Sequence, residues 1–464
     1  MTLKRLLAVA CTLVALLPVA AHASLSAGAV ETTLDNGLKV IVKPDRRAPV
    51  VISQLWYRVG SIDETNGITG ISHVLEHMMF KGTPSVPAGE FSRVVAAAGG
   101  KENAFTSRDH TVYHQQLAAS QLPLVIRLEA DRMRNLILDA DEFAKEIQVV
   151  MEERRWRIED QPGSLLYEVL LGTALQAHPY RLPVIGYMDD LRHMTIDDVR
   201  DWYRRWYAPN NATLVVVGDV EPEQVFALAR EHFGPVPAAA LPARKPQAEP
   251  EQNGIRRVHM SGIAEQPTVT MAWRAPTLTD PAGDWRPYAI DILAGVLNGY
   301  PGARLGTSLV REQRIAADVD AYYDGLGRGP SLFMLGGTPA DGVSIVRLEQ
   351  ALRDQVARIQ KEGVRPEELA RVKSQVIAAM VYARDSISHQ AKMIGNLESA
   401  GVGYRNDALM LERMRAVTAE QVQEVARELF VDERLTIAIL DPLPMPANGA
   451  ATGAPKGPPP GARH

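Results

Sequence analysis

The stretch Ser72-His-Val-Leu-Glu-His-Met-Met-Phe80 holds the side chains best suited to chemistry. At ~100° per residue on a helix, His73, Glu76 and His77 fall within one third of the circumference. The other faces carry Val74, Leu75, Met78, Met79 and Phe80, the pattern of a buried helix. Two histidines and a carboxylate buried together are costly unless something compensates them. A divalent cation does so: two imidazoles one turn apart bind it, and Glu76 holds the attacking water. The bland alternative is two core histidines bonded to backbone beside a salt-bridged glutamate.

A catalytic metal needs a third protein ligand and an open position. The one cysteine, Cys11, lies far from this motif, so the third ligand is expected from His, Asp or Glu. The segment Glu142 to Asp160 reads as a helix. Seen down its axis, Val149, Val150 and Glu153 share the face of Glu146, whereas Glu152 points away from those valines. Glu153 is therefore expected as the ligand and Glu146 as the acceptor that fixes a histidine tautomer. Their ordinary alternative is ion pairing in solvent with Arg154 or Arg157, which suits Glu152 better. His110 and His114 flank a strand-like Thr111-Val-Tyr113, and four residues of strand span ~13 Å, too far to share one ion.

The elements that must position these groups belong to a chain of 464 residues, long enough for several folded units at ~150 residues each. Hydrophobic residues at 46% and charged residues at 23% are ordinary for a globular protein and exclude wholesale disorder. Fifty Lys plus Arg against 55 Asp plus Glu leave a net charge of -5, so there is no basic footprint for nucleic acid and no polybasic membrane anchor. Lys4 and Arg5, the apolar run Leu6 to Ala21 and Ala21-His22-Ala23 read as an export signal over residues 1–23. Cleavage would leave a chain without cysteine, suited to an oxidising compartment. Residues 442–464, rich in Pro, Gly and Ala, read as a disordered tail.

Between these ends the chain repeats itself. Thr195 to Tyr207 is an amphipathic helix opening on a threonine cap, followed by the buried-strand run Thr213-Leu-Val-Val-Val217. Thr418 to Phe430 repeats the helix and Thr436-Ile-Ala-Ile-Leu440 the strand, at an ungapped offset of 223 residues both times. Leu38 to Val42 and Val50 to Tyr57 open the first half as strands. Arg256 to Met260 and Thr268 to Trp273 open the second in the same way. Pro235 to Asn253 reads as a linker, and Pro366 to Ala400 as one long helix. The expectation is α+β: two homologous domains, 24–240 and 256–441, joined through 241–255, each a mostly antiparallel sheet with helices packed on it.

His73-x-x-Glu76-His77, with Glu153 following 76 residues after His77, resembles the inverted zinc motif of the inverzincins. Asn103-Ala-Phe-Thr106 with Asp109, Thr111 and Tyr113, His178-Pro-Tyr180 with Ile185-Gly186, and Leu128 to Met133 extend the likeness. From about Val30 to Asp441 the chain resembles the pitrilysin/insulinase family of zinc metallopeptidases, in the shorter branch that includes mitochondrial processing peptidase. The resemblance implies two homologous domains forming half of a clamshell, with one Zn2+ held by His73, His77 and Glu153. It implies Glu76 as general base, Glu146 as supporting acid, and Asn103 and Ala104 on an edge strand that holds the substrate backbone.

In one respect the chain departs from the family. Arg311 matches the second-domain arginine that reaches substrate, but Ala317 stands where a tyrosine is expected. The expected partner arrangement is a dimer, with a zinc-less homologous chain as one way of supplying the missing group. The leading expectation is a periplasmic or secreted zinc endopeptidase acting on unstructured peptides or small proteins. The periplasm follows from the family resemblance. The competing readings are a non-catalytic assembly or peptide-holding subunit and a metal-stabilised structural domain.

Overall fold

The computed structural model describes residues 25–444. The expected export signal, Cys11 and the chain beyond residue 444 lie outside the described residues. The first half contributes β1 (Val30–Thr33), β2 (Lys39–Pro44), β3 (Val50–Tyr57), β4 (Lys101–Thr106), β5 (Thr111–Ala118) and β6 (Ala212–Gly218). The second contributes β7 (Arg256–Ile263), β8 (Thr268–Ala275), β9 (Ala316–Tyr323), β10 (Ser331–Pro339) and β11 (Leu435–Leu443). Sheet orders are β1-β2-β6-β3-β5-β4 and β7-β11-β8-β10-β9, so the two agree strand for strand once β1 is set aside. In each sheet one pair is parallel, β2 with β6 and β7 with β11, and the rest are antiparallel.

The repeat seen in the sequence reflects this topology. β6 and β11 are interior strands flanked on both sides, which is why their sequences are continuous apolar runs rather than alternating ones. Lys39 lies opposite Thr213, and Arg256 opposite Thr436. The helix before each interior strand opens on a reciprocal cap: Thr195 with Asp198 before Ile196–Trp206, and Thr418 with Gln421 before Ala419–Leu429.

The segment expected as one helix over 366–400 is two, Pro366–Ala383 and Ile387–Ser399, with Ser386 capping the second through the His389 N–H. The break lets the second helix turn onto β3 and β6 of the other half. There Gly395 meets the Trp56 indole, and a Cβ at Gly395 would lie 2.0 Å from Trp56 Cε2. The exchange is reciprocal. The Pro162–Ala174 helix of the first half packs on β7, β8 and β11, burying Leu166, Leu170 and Leu171 against Ala438 and Leu440. Each sheet is thus covered partly by the other half's helix.

The tail was expected from residue 442, but Pro442 and Leu443 continue β11 opposite Gly262 and Ile263 of β7. β8 stops pairing at Leu440, so Pro442 has a strand neighbour on one side only, where a missing N–H is tolerated. Residues 237–253 carry no helix or strand, yet the segment is pinned down. Arg244 pairs with Asp63 at 2.6 Å, and the Glu249 carboxylate accepts the N–H groups of Gln176, Ala177 and His178. Among the described residues no helix is long and apolar enough to cross a membrane.

Candidate metal centre

The helix that carries the motif, α1 (Ile71–Met78), starts in a tightly built corner. Its N-terminal N–H groups would otherwise be orphaned. The buried Glu64 carboxylate accepts two of them, from Gly70 at 2.7 Å and Ser72 at 2.9 Å, while burial pushes its pKa up to about 7. Gly70 and Gly186 meet back to back at φ +84 and +87, and a Cβ on Gly186 would lie 2.4 Å from the Thr69 carbonyl oxygen. Arg154 secures the facing loop by donating to the Gly186 carbonyl at 2.7 Å. At the other end of α1, Phe80 contacts the fully buried Arg132, whose guanidinium also sits 4.4 Å from Phe91 and 4.3 Å from Tyr113 and pairs with Glu129. The register of α1 is therefore fixed from both ends.

The Ala140–Arg154 helix, capped by Asp139, packs against α1 and brings in the acids. His73, His77 and Glu153 each offer a ligand atom, and these atoms lie within 4.8 Å of one another. Glu153 Oε2 is 3.3 Å from His77 Nε2 and 3.8 Å from His73 Nε2. Two imidazole nitrogens and one carboxylate form the donor set of a catalytic zinc site with a fourth position open. Among the described residues no other group of His, Cys, Asp or Glu converges in this way. All three are buried, and His73 Nδ1 is a buried nitrogen with no hydrogen-bond partner, so a cation on the facing Nε2 would offset part of the cost of burial. The residues present fit zinc.

The surrounding groups tune the three. Glu146 Oε1 lies 3.3 Å from His77 Nδ1 and its other oxygen pairs with Lys81, the arrangement that holds a ligand histidine in one tautomer. Arg157, in a π-helical turn over Arg155–Glu159, reaches back to Glu153 Oε1 at 2.9 Å. The ordinary alternative for these acids, a solvent ion pair with Arg154 or Arg157, suits Glu152 better by its direction on the helix. The outward ion pair belongs instead to Glu152 and Arg155. Burial raises Glu153, but the His77 hydrogen bond and the charges of His73, His77 and Arg157 outweigh it and hold the carboxyl at about 2. Burial and the neighbouring His77 push His73 down to about 3, leaving a neutral imidazole. His77 rises to about 9: burial opposes this, and contacts with Glu146 and Glu153 override it.

Glu76 stands apart from the ligand group. Its Oε2 accepts a hydrogen bond from Thr106 at 2.6 Å, and burial raises its pKa to about 7, partly offset by His77. A carboxylate near neutrality is well placed to take and return a proton. Thr106 ends β4, which among the described residues pairs with β5 alone and so presents a free edge. Asn103 and Ala104 lie on this strand, with the Asn103 side chain accepting the Ala104 N–H at 2.8 Å. Ala104, Phe105 and Thr106 share one cavity of 310 Å³ with His73 and Glu76.

His110 and His114 stay out of the cluster. His110 bonds Ser399 at 3.1 Å and packs on Trp56. Arg311, expected to reach substrate, does not line the cavity. Its side chain is exposed, donates to the Pro301 carbonyl and is absent from the cavity wall, and Ala317 is likewise exposed on β9. The second half reaches the site by another route. The Tyr180 hydroxyl donates to Asp109 at 2.6 Å and accepts the N–H groups of Arg328 at 2.9 Å and Gly329 at 3.0 Å. The Arg328 guanidinium bridges Asp63 and the Asp109 carbonyl. Asp109 lies in the turn between β4 and β5, so this latch bears on the strand carrying Thr106. Asp109 and Tyr180 belong to stretches singled out in the sequence, but nothing there linked them to Arg328.

This arrangement, two duplicated α+β halves with an inverted His-x-x-Glu-His helix facing a distant glutamate, defines a metallopeptidase-type centre. Comparison with known proteins agrees. Residues 39–187 match the description Insulinase (Peptidase family M16), and residues 193–376 match Peptidase M16 inactive domain. The chain is 32% identical over 462 residues to zinc protease PqqE of Helicobacter pylori, spanning 95% of this chain and 99% of that one. It is 30% identical over 422 residues to an uncharacterized zinc protease of Mycobacterium tuberculosis, spanning 89% and 92%. A crystal structure of a protease from Helicobacter pylori superposes with a TM-score of 0.84 at 29% identity, over 89% of this chain and 99% of that one. The periplasmic protease PqqL from Escherichia coli shares the fold at a TM-score of 0.77 and 21% identity, over 89% of this chain and 47% of that one. The chain belongs to the insulinase family, peptidase family M16.

Proposed function

We propose that this protein is a zinc endopeptidase that hydrolyses peptide bonds in unstructured peptides or small proteins. One observation carries the reading: His73, His77 and Glu153 converge, while Glu76 stays outside the ligand set and faces the same cavity as the free edge of β4. His73, His77 and Glu153 would hold the zinc, which when bound supplies Lewis-acid polarisation of the scissile carbonyl. An extended peptide adds to β4 beside Asn103 and Ala104, its backbone held by main-chain hydrogen bonds and its side chains sorted by pockets. Glu76, oriented by Thr106, takes the proton of the attacking water and passes it to the leaving amine. Glu146 keeps His77 in the required tautomer, and Arg157 orients the Glu153 carboxylate.

The setting is proposed to be the periplasm, and the working form a dimer. Because Arg311 lies away from the cavity, the second-half contact to substrate is assigned to a partner chain, a homologue without zinc ligands being one candidate. Mass measurement in solution, with identification of any co-purifying chain, tests this. A solitary monomer with full activity would refute the dimer.

Glu76→Gln compared with wild type, for zinc content and for cleavage of a quenched fluorescent peptide, tests the function. The reading predicts retained zinc and cleavage lost by orders of magnitude. Equal cleavage by both forms would remove Glu76 from its role. Zinc bound by a wild type that cleaves nothing would favour a peptide-holding subunit.

A further inference from the structure

The cavity beside the metal centre has mostly apolar side walls, Leu171, Val184 and Ile185 among them, yet it carries several charges. Most of these are already committed within the protein. Arg157 pairs with Glu153, Glu76 is bonded by Thr106, and Glu168 takes a two-pronged ion pair from Arg154 at 2.9 Å on each oxygen. Two guanidiniums are left. Arg108 donates to the Tyr167 hydroxyl at 2.9 Å and lies 5.4 Å from the centre of the Tyr180 ring. Arg181 donates to Asn66 at 3.3 Å, and its buried Nε has no hydrogen-bond partner among the described residues. Neither Arg108 nor Arg181 has a carboxylate within ion-pair distance among the described residues. Asp109, next to Arg108 in the chain, is taken up by Tyr180 and the Arg328 backbone.

A half-buried guanidinium with no carboxylate paired to it is only partly compensated, Arg108 feeling the Asp109 charge without bonding it, and two such groups lining one cavity favour an anion there. Planar guanidinium groups suit carboxylates in particular. We propose that this cavity selects a carboxylate, so that the substrate residue seated in it is acidic or ends the peptide, with Arg181 and Arg108 as its binding partners. The inference rests on the reading that β4 takes an extended peptide, and it names the substrate class of that same site. Two sources share this chemistry: an Asp or Glu side chain, and the carboxylate at a peptide C-terminus.

The test uses the full chain as Glu76→Gln, loaded with zinc, so that binding is read without turnover. One arm scans labelled, C-terminally amidated peptides with Asp or Asn at each position by fluorescence anisotropy. A second compares an uncharged peptide ending in a free acid with its amide. The expected result is one position, or the free terminus, at which the carboxylate tightens binding about tenfold or more. That preference narrows as salt is raised and is lost in Arg181→Gln with Arg108→Gln, while Arg181→Lys keeps part of it. Whichever arm shows the gain identifies the source. No discrimination of Asp from Asn or acid from amide overturns the proposal, as does a preference that survives loss of both arginines in a protein with full zinc content. The two readings fail separately. Wild type that cleaves peptides without regard to acidic residues removes the selection alone. Selective binding by a chain that never cleaves removes the peptidase reading alone.

Discussion

Glu146 offers the sharpest test of how the centre is built, because it touches a ligand without being one. Its Oε1 sits 3.3 Å from His77 Nδ1, and its second oxygen is paired with Lys81. Removing such an outer partner costs ten- to a hundredfold in metal affinity, about 1.4 to 2.8 kcal/mol. The 3.3 Å separation exceeds the ~2.7–2.9 Å of a strong charge-assisted bond. Glu146→Gln, which keeps an acceptor but loses the charge, should therefore fall near tenfold. Glu146→Ala, which loses both and leaves Lys81 beside His77 with only its 3.9 Å contact to Glu142, should approach a hundredfold. Competition against a chromophoric zinc chelator measures both, and denaturant midpoints of the metal-free forms report any general loss of fold. The reasoning fails if both variants bind zinc within twofold of wild type. It also fails if the affinity loss merely tracks an equal loss of stability in the metal-free chain.

Further outcomes follow from the same geometry. Gly186→Ala places a Cβ 2.4 Å from the Thr69 carbonyl at φ +87, and should destabilise the protein by roughly 2 kcal/mol, read as a lowered urea midpoint. Arg328→Ala removes the guanidinium contacts of the latch on the β4–β5 turn and should lower kcat/KM about tenfold with zinc content unchanged; unchanged kinetics would show those contacts to be structural only. Glu76, raised by burial to about 7, must be ionised to accept a proton, so kcat/KM should rise with pH along an acidic limb. A bound cation favours the carboxylate and places the midpoint of that limb below 7, whereas a rate that falls with rising pH across this range would contradict the assignment.

Much of the site was legible because it is local. On α1 the helical period alone puts His73, Glu76 and His77 together, and on the Ala140–Arg154 helix the same period separates Glu153 and Glu146 from Glu152. The strand runs of β6 and β11 show the duplication because interior strands are apolar throughout. What stayed hidden depends on distant parts of the chain meeting. The turn at 384–386 has neither proline nor glycine, and only docking of Ile387–Ser399 on the first sheet explains it. Pro442 looked like the end of structure, yet β8 has stopped pairing by that point and leaves room for it. Arg311 sits at a promising sequence position but is held by the Pro301 carbonyl. Arg328, which no local pattern marks, holds the turn between β4 and β5.

The central claim is that one cation is held by His73, His77 and Glu153 while Glu76 remains free for chemistry. Anomalous diffraction at the zinc edge from crystals of the zinc-loaded protein tests it most directly. The account predicts a single peak about 2.0–2.2 Å from a nitrogen of each histidine and an oxygen of Glu153, with Glu76 outside the coordination shell. A peak at other residues, or one in which the Glu76 carboxylate replaces Glu153 as ligand, would contradict it.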